Sequence, residues 1–435
     1  MIEILSILSQ FLIFLLFFTF PFNISFLNKK LNLKNGTLNQ LDAQTINVIF
    51  FLFVSLNFSL FNLNTTILFN IYLFFSIIFL LFNFKSYFKN LHSKDILNFI
   101  LFFLIVISIF FSIANNLKLE WDGHTWIEKA FIFKNAERIS NLKNTLHSNY
   151  PHLGSYIWAF FWKNSILELE FFGRFFNVYI YVLSIFLIVK TIKLKNENYS
   201  YLLILFFILI TFENYYFAGY QEYLIFVSLI FAARYINFLS EENFNNIRLV
   251  VIIILILYIN SWFKLEGKIY FIIFSIPLVL LLKINTYKKF NLFLLISILP
   301  ILQLYIEKDL IGNFNNLNLD ELIESFKDIL NVKFLLLKIY KISAHIIIAF
   351  VKHPLWLIIL TSLLLLKYLQ KKTNLVFKYV LICLFLNFTF VMGTYMILGN
   401  LDLMLRVTLD RVIFQTSGFY LFFIIFLMNN FKFRN

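Results

Sequence analysis

Apolar runs of membrane-crossing length recur along nearly the whole chain, and very few folds accept them. A helix needs about 20 apolar residues to cross the hydrocarbon core. Runs of that order fall near 4–22, 45–62, 66–83, 96–114, 173–190, 200–214, 222–239, 247–262, 268–283, 289–306, 354–370, 375–397 and 411–429. About thirteen spans are therefore expected. Of the 435 residues, 61% are hydrophobic and 14% charged, with a mean hydropathy of +0.82. Soluble globular chains run about 45–50% apolar and about 25% charged. That excludes a soluble fold and leaves an all-α, polytopic transmembrane helix bundle, because lipid offers backbone groups no water to bond. The first run lacks a basic leading segment and a small-residue cleavage site, so it reads as a span and not as a signal peptide.

The charges orient the bundle. Lys29, Lys30 and Lys34 follow the first run, Lys85, Lys89 and Lys94 the third, and Lys190, Lys193 and Lys195 the fifth. Lys283, Lys288 and Lys289 follow the ninth, Lys367, Lys371 and Lys372 the eleventh, and Lys432 and Arg434 the last. All fall on one side if the C-terminus is cytoplasmic, as the excess of basic residues on that side requires. The opposite connectors at 63–65 and 215–221 hold no Lys or Arg. The net charge of +14 thus belongs to the membrane surface, and nucleic acid is not an expected partner. Arginine occurs only at 138, 174, 234, 248, 406, 411 and 434, and Phe, Asn and Lys are abundant, a skew that fits AT-rich coding. Cys383, alone in an apolar run, offers neither a disulfide nor a thiolate metal site.

Four regions follow from this layout. Residues 1–95 form N-terminal spans. Residues 96–306 form a core that carries a first outer loop at 115–170. Residues 307–352 form a second outer segment, acidic at its start (Glu307, Asp309, Asp320, Glu321, Glu324, Asp328) and then apolar, read as a helix lying in the interface. Residues 353–435 complete the spans.

Polar residues stand out against this background. The island Glu120-Trp121-Asp122-Gly123-His124-Thr125-Trp126 sits where a span leaves the bilayer, and ionisable groups there are costly and usually functional. On a helix over 120–133, Asp122, Trp126 and Lys129 share a face by their spacing. A carboxylate in a partly dry pocket can act as a general base, although capping a helix is the plainer job for Asp122. Glu222 opens a helix entering the membrane, where the helix dipole alone would favour an acid. Lys264, among Trp262, Phe263 and Leu265, suits a phosphate clamp or a snorkelling anchor. Arg411 suits a phosphate or an ion pair with a nearby acid such as Asp410. His124, His147 and His152 share the first outer loop with Asp122, and imidazole with carboxylate is zinc or manganese chemistry. No spacing here matches a metal motif, so no metal ligand is assigned, and the cofactor is left open with a divalent cation the less favoured reading.

In order along 120–425, these pieces resemble the GT-C-type membrane glycosyltransferases that use polyprenyl-phosphate sugars, such as dolichyl-phosphate-mannose mannosyltransferases and bacterial aminoarabinose transferases. Trp121-Asp122 through Lys129-Ala130 resembles the acidic motif of the first outer loop. Tyr150-Pro151-His152-Leu153 is similar to the Tyr-Pro-Pro-Leu that opens the next juxtamembrane helix. Gly173-Arg174-Phe175-Phe176 resembles Ala-Arg-Leu-Pro, and Tyr220-Gln221-Glu222 resembles Tyr-Ala-Asp. Phe263-Lys264-Leu265-Glu266-Gly267 resembles Thr-Lys-Asn-Glu-Gly, and Thr408-Leu409-Asp410-Arg411 resembles the late Ser/Thr-x-x-Arg.

The resemblance implies a GT-C-like bundle with outer-face juxtamembrane helices in a bacterial inner membrane. It implies Asp122 as catalytic base and Glu222 as an aid to acceptor or metal binding. Lys264 and Arg411, with Lys129 or Arg174, would hold the donor phosphate, and fixed positive charge at the leaving oxygen would supply rate. Trp121, His124, Trp126, Tyr150, His152, Tyr220 and Glu266 would line the acceptor pocket. The implied partners are a polyprenyl-phosphate sugar, a glycan, lipid or protein acceptor, and membrane lipid. The chain departs from the pattern in using Glu222 where Asp is commoner, Pro-His for Pro-Pro, and three extra spans before the acidic loop. Two alternatives are weighed. An O-antigen-type polymerase would favour paired arginines in a late outer loop, and 307–352 has none. A lipid-linked-glycan flippase or transporter would favour mid-membrane charge and paired Gly/Pro breaks, whereas only 10 Gly and 5 Pro are present.

Overall fold

The computed structural model describes residues 2–33, 38–89, 93–117, 119–120, 122–192, 198–311, 332–369, 374–397 and 400–429. Every regular element among them is helical. In chain order they are α1 (Ile2–Thr19), α2 (Ile24–Leu31), α3 (Gln40–Leu60), α4 (Thr65–Lys89), α5 (Ser93–Ala114) and α6 (Asp122–Lys134). Then come α7 (Leu153–Lys163), α8 (Phe171–Lys190), α9 (Tyr199–Thr211), α10 (Glu222–Glu241), α11 (Ile247–Asn260) and α12 (Leu265–Leu281). The series closes with α13 (Thr286–Ile311), α14 (Val332–Lys352), α15 (Pro354–Leu369), α16 (Leu375–Ile397) and α17 (Leu401–Asn429).

Among the described residues, ten helices are long and apolar enough to cross a membrane, which makes the chain a multi-pass integral membrane protein. Nine of them coincide with expected runs. The expected runs at 200–214, 247–262, 268–283 and 354–370 are realised as the shorter helices α9, α11, α12 and α15. At 1.5 Å per residue the 13-residue α9 rises only about 20 Å, short of the hydrocarbon thickness. The tenth is α14, expected to lie in the interface, and its length and composition would also let it cross. Of the acidic stretch before it, Asp320, Glu321, Glu324 and Asp328 lie outside the described residues.

Burial sorts the helices into a centre and a rim. The apolar windows of α8 and α10 are 94% buried and that of α17 is 83% buried, whereas those of α4, α13 and α14 are 17–22% buried. The outer faces of the rim helices stay apolar (Phe74, Phe82, Leu295 and Ile301 are all exposed), as lipid contact demands. Helices gain little hydrophobic free energy from meeting each other in lipid, so shape and ring packing must hold them together. Phe11, Phe14 and Phe18 lie on one face of α1 by their spacing. They interlock with α3, α7 and α8: Phe14 meets Phe161 edge-on at 4.8 Å, Phe18 meets Tyr179 at 5.4 Å, and Phe161 stacks on Phe176 at 5.2 Å. Each such pair is worth about 0.5–1.5 kcal/mol beyond its burial.

A buried ion pair joins α3 to α10 at the end of the bundle where α10 terminates. Arg234 donates from Nε to Asp42 Oδ1 at 2.8 Å and from Nη2 to Oδ2 at 3.0 Å, and Tyr235 donates to the Asp42 carbonyl. Asn39 and Asp42 also close a capping box at the start of α3. Removing one partner of such a pair strands the other charge. Asp42→Leu is expected to destabilise the protein by about 3–5 kcal/mol, and the Asp42→Leu/Arg234→Met double variant by much less. Chemical-denaturation midpoints in detergent compare the two, and a double variant no more stable than the single one would remove the pair's structural role.

Candidate functional site

Three helix starts and one helix interior meet at the other end of the bundle. Asp122 is the first residue of α6, Glu222 the first of α10, and Lys264 caps α12 with extended backbone. Arg411 lies in the third turn of α17. The register between α10 and α17 is set one turn below, where Phe226 and Phe414 stack at 4.9 Å with their planes 5° apart. Gly418 keeps the two helices close, since a Cβ there would come within 2.8 Å of Ile230. That stacking places Glu222 (four residues before Phe226) opposite Arg411 (three before Phe414). Lys264 is brought in by the tight α11–α12 turn. A Cβ on Gly267 would sit 2.2 Å from the Asn260 carbonyl oxygen, so only glycine lets the turn close. The start of α7 is tied to the same turn, with the Leu153 N–H donating to the Trp262 carbonyl at 3.2 Å.

The side chains form one ionic cluster. Arg411 donates from Nε to Glu222 Oε1 at 2.7 Å and from Nη2 to Asp122 Oδ2 at 2.7 Å. Lys264 Nζ donates to Glu222 Oε1 at 2.9 Å and lies 3.9 Å from Asp122 Oδ2 and 3.8 Å from Glu266 Oε1. The Arg411 guanidinium stands 4.6 Å from the centre of the Tyr220 ring, which adds a cation–π contact. Tyr220 is itself fixed by donating its hydroxyl to the Glu120 carbonyl at 2.8 Å. Glu222, Lys264 and Arg411 are closed off, whereas the Asp122 and Glu266 side chains are 19% and 25% exposed. Burial would lower the Lys264 pKa, but Glu222 and Glu266 outweigh it and hold the ammonium charged. Glu222 Oε2 is buried without a hydrogen-bond partner, as are both amide atoms of Gln415, one turn beyond Arg411. Unpaired buried polar atoms are costly, and here they border the cluster.

The remaining expected site residues divide by position. Tyr150 faces the cluster: burial, then the negative charge of Asp122 and Glu266, raises its phenol pKa. Trp126 is buried against the Tyr150 ring at 5.4 Å. His147 stacks on Tyr150 at 4.9 Å, and His124 is exposed. His152 is fully buried, shares a 2.9 Å hydrogen bond with Ser59, and burial drives its pKa down to about 3, so it is neutral. Trp121 lies outside the described residues.

Two expected phosphate binders are not brought to the cluster. Arg174 places all five N–H donors inside the protein, on Glu170 Oε1 and Oε2 and on the carbonyls of Ile113, Ala114 and Phe217. It clamps the end of α5 to α8 and to the turn before α10. Lys129 donates to the carbonyls of Tyr150 and Ser148 and so holds the loop that presents Tyr150. Among the described residues, no group of three or more His, Cys, Asp or Glu gathers as a metal site.

Burial lowers the Lys129 pKa to about 7, against the opposing pull of Glu307 and Glu128. The unfolded chain therefore binds the extra proton between pH 7 and about 10.5, and stability rises with pH across that window. The penalty is full below pH 7. Lys129→Met is expected to flatten the rise in the thermal midpoint between pH 7 and pH 9, and an unchanged slope would assign it to another group.

A neighbouring network escaped the sequence reading. Lys268 pairs with Glu307 Oε2 at 2.5 Å, Gln303 Nε2 donates to Glu307 Oε1 at 2.9 Å, and Ser261 Oγ donates to Gln303 Oε1 at 2.6 Å. Its signal was available: Gln303 and Glu307 stand one turn apart in an otherwise apolar run, and Lys268 lies one turn beyond Lys264. No protein-family model, curated protein or solved structure matches this chain.

Proposed function

We propose that the protein is an integral-membrane glycosyltransferase that moves a sugar from a polyprenyl-phosphate donor to a hydroxyl acceptor at the outer face of a bacterial inner membrane. One observation carries the reading: Asp122, Glu222, Lys264 and Arg411, up to 289 residues apart in sequence, meet in one buried cluster at a single end of the helix bundle. Among the described residues, Lys283 follows the far end of α12, the helix that Lys264 caps, and the excess of basic residues on the cytoplasmic side of membrane proteins supports an outer-leaflet position for the cluster. The contacts of α14 fit a helix lying on that leaflet. Lys338 donates to the Met396 carbonyl, Lys341 pairs with Asp402, and His353 beyond its end lies within 4.0 Å of Asp410.

In this reading Asp122, the more open carboxylate, accepts the proton of the acceptor hydroxyl. The acceptor oxygen attacks the anomeric carbon as the bond from that carbon to the phosphate oxygen breaks, with inversion. The polyprenyl phosphate leaves with the electron pair, and Lys264 and Arg411 meet its charge. Glu222 holds both cations in place, and Tyr220 supports Arg411 from below. Arg174 and Lys129 act as scaffold.

The test is transfer by the purified full chain in nanodiscs, supplied with radiolabelled polyprenyl-phosphate sugars and a panel of glycan, lipid and peptide hydroxyl acceptors. Label moved to any acceptor by this protein supports the reading. Neither transfer nor hydrolysis with any donor overturns it.

A further inference from the structure

An apolar groove of about 480 Å³ runs between α12 and α16. Its α12 wall is Ile269, Ile272, Ile273 and Ile276, which share one helix face by their spacing and cover about 10 Å along the axis. Phe390 and Gly393 belong to the α16 wall. A Cβ built on Gly393 meets no atom within 4 Å, so this glycine borders open space instead of a neighbour. Ile269 and Ile272 are each 37% exposed, so the groove is open along its side.

One end of the groove lies near the ionic cluster. Ile269 lies one turn from Glu266, whose carboxylate is 3.8 Å from Lys264 Nζ. Tyr270, beside Ile269, donates to the carbonyl of Val412, next to Arg411, and its ring meets Phe390 edge-on at 5.8 Å. Tyr395 on α16 shares a 2.7 Å hydrogen bond with Thr408, one turn before Arg411. Both walls are therefore tied to the stretch of α17 that carries Arg411. Fixed positive charge near one end of an open apolar groove complements a ligand with a phosphate joined directly to a long hydrocarbon.

We propose that Gly393 is a specificity-determining position: it keeps this groove open for the first part of the substrate lipid's hydrocarbon tail, while Lys264 and Arg411 take the phosphate. The assignment rests on the phosphate-handling reading above. The first carbon of a side chain at position 393 would enter open space without meeting another atom.

Binding to the full chain in nanodiscs tests this with two probes, undecaprenyl phosphate and isopentenyl phosphate, the second too short to run along the groove. Gly393→Phe is expected to weaken undecaprenyl phosphate binding about tenfold, the worth of roughly two buried methylenes, and to leave isopentenyl phosphate within about twofold. Gly393→Ala is expected to shift undecaprenyl phosphate the same way by less, which keeps the test open if the Phe variant folds poorly. Unchanged undecaprenyl phosphate binding in both variants overturns the groove and leaves the phosphate reading standing. Equal loss of both probes, or displacement of undecaprenyl phosphate by ordinary phosphatidylglycerol at similar concentration, overturns tail recognition here. No binding of either probe by the unmodified protein overturns both readings.

Discussion

Exchange of Arg411 for Gln is expected to destabilise the folded protein by about 3–5 kcal/mol and to abolish polyprenyl-phosphate binding. Arg411 is the shared partner of two carboxylates, with donors at 2.7 Å to both Glu222 and Asp122. Glu222 is fully buried, and its second oxygen already lacks a partner. With the guanidinium gone, Lys264 alone must hold Glu222 while also facing Asp122 and Glu266. An amide reaches one of these acids at most and brings no charge, so a buried carboxylate is left under-compensated. Arg411→Lys is expected to recover part of the stability but not the two-acid bridge, because an ammonium is a point charge without the planar fork. Adding Glu222→Gln to Arg411→Gln is expected to restore stability without restoring binding, which separates the fold from the site. Denaturation midpoints and undecaprenyl phosphate titrations on the same samples give both readings. A single variant with an unshifted midpoint would show that the cluster is solvated and not a buried network.

The cluster was legible in the sequence because each of its members breaks an apolar context. Glu222 and Lys264 stand at the edges of greasy runs, and Asp122 sits in a polar island flanked by tryptophans. In a chain with this composition an ionic side chain at such an edge is costly and therefore conspicuous. What spacing could not give was the pairing. The Arg411–Glu222 contact depends on the Phe226–Phe414 stack and on the close approach at Gly418, which are properties of two helices far apart in the chain. Arg174 shows the converse: its sequence context resembled a phosphate binder, yet five internal acceptors surround it. Nothing local distinguishes an arginine facing a cavity from one facing carbonyls. The span count was less legible than the fold class for a related reason. Helices such as α9 and α11 are as apolar as true spans but shorter, and only the caps and turns, set by tertiary contacts, fix where they stop. The Asp42–Arg234 pair stayed hidden because Asp42, ahead of an apolar run, passes for an ordinary boundary charge, and nothing local to Arg234, inside another run, names its partner.

Asp122→Asn is expected to separate chemistry from structure in the opposite way. The substitution changes no heavy-atom count, and the amide oxygen can still accept from Arg411 Nη2, while Glu222 keeps its contacts to both cations. Asp122 is also the partly open member of the pair, 19% exposed against 0% for Glu222, so solvent screens the lost charge. A stability change within about 1 kcal/mol follows, and donor binding should stay within a few-fold. Transfer should fall by about 10²–10⁴, because an amide cannot take the proton from the acceptor hydroxyl as its oxygen attacks the anomeric carbon. Initial rates at saturating donor measure that loss, and the same preparation gives the unfolding midpoint and the donor Kd. Transfer within a few-fold of the unmodified protein would remove Asp122 as the base and shift the role to Glu266, the other partly exposed carboxylate, 3.8 Å from Lys264. A large drop in both stability and donor binding would instead make Asp122 a strut for Arg411. The proposed role as base rests on this contrast: the buried acid already holds both cations, and the open acid is the one an incoming hydroxyl would reach.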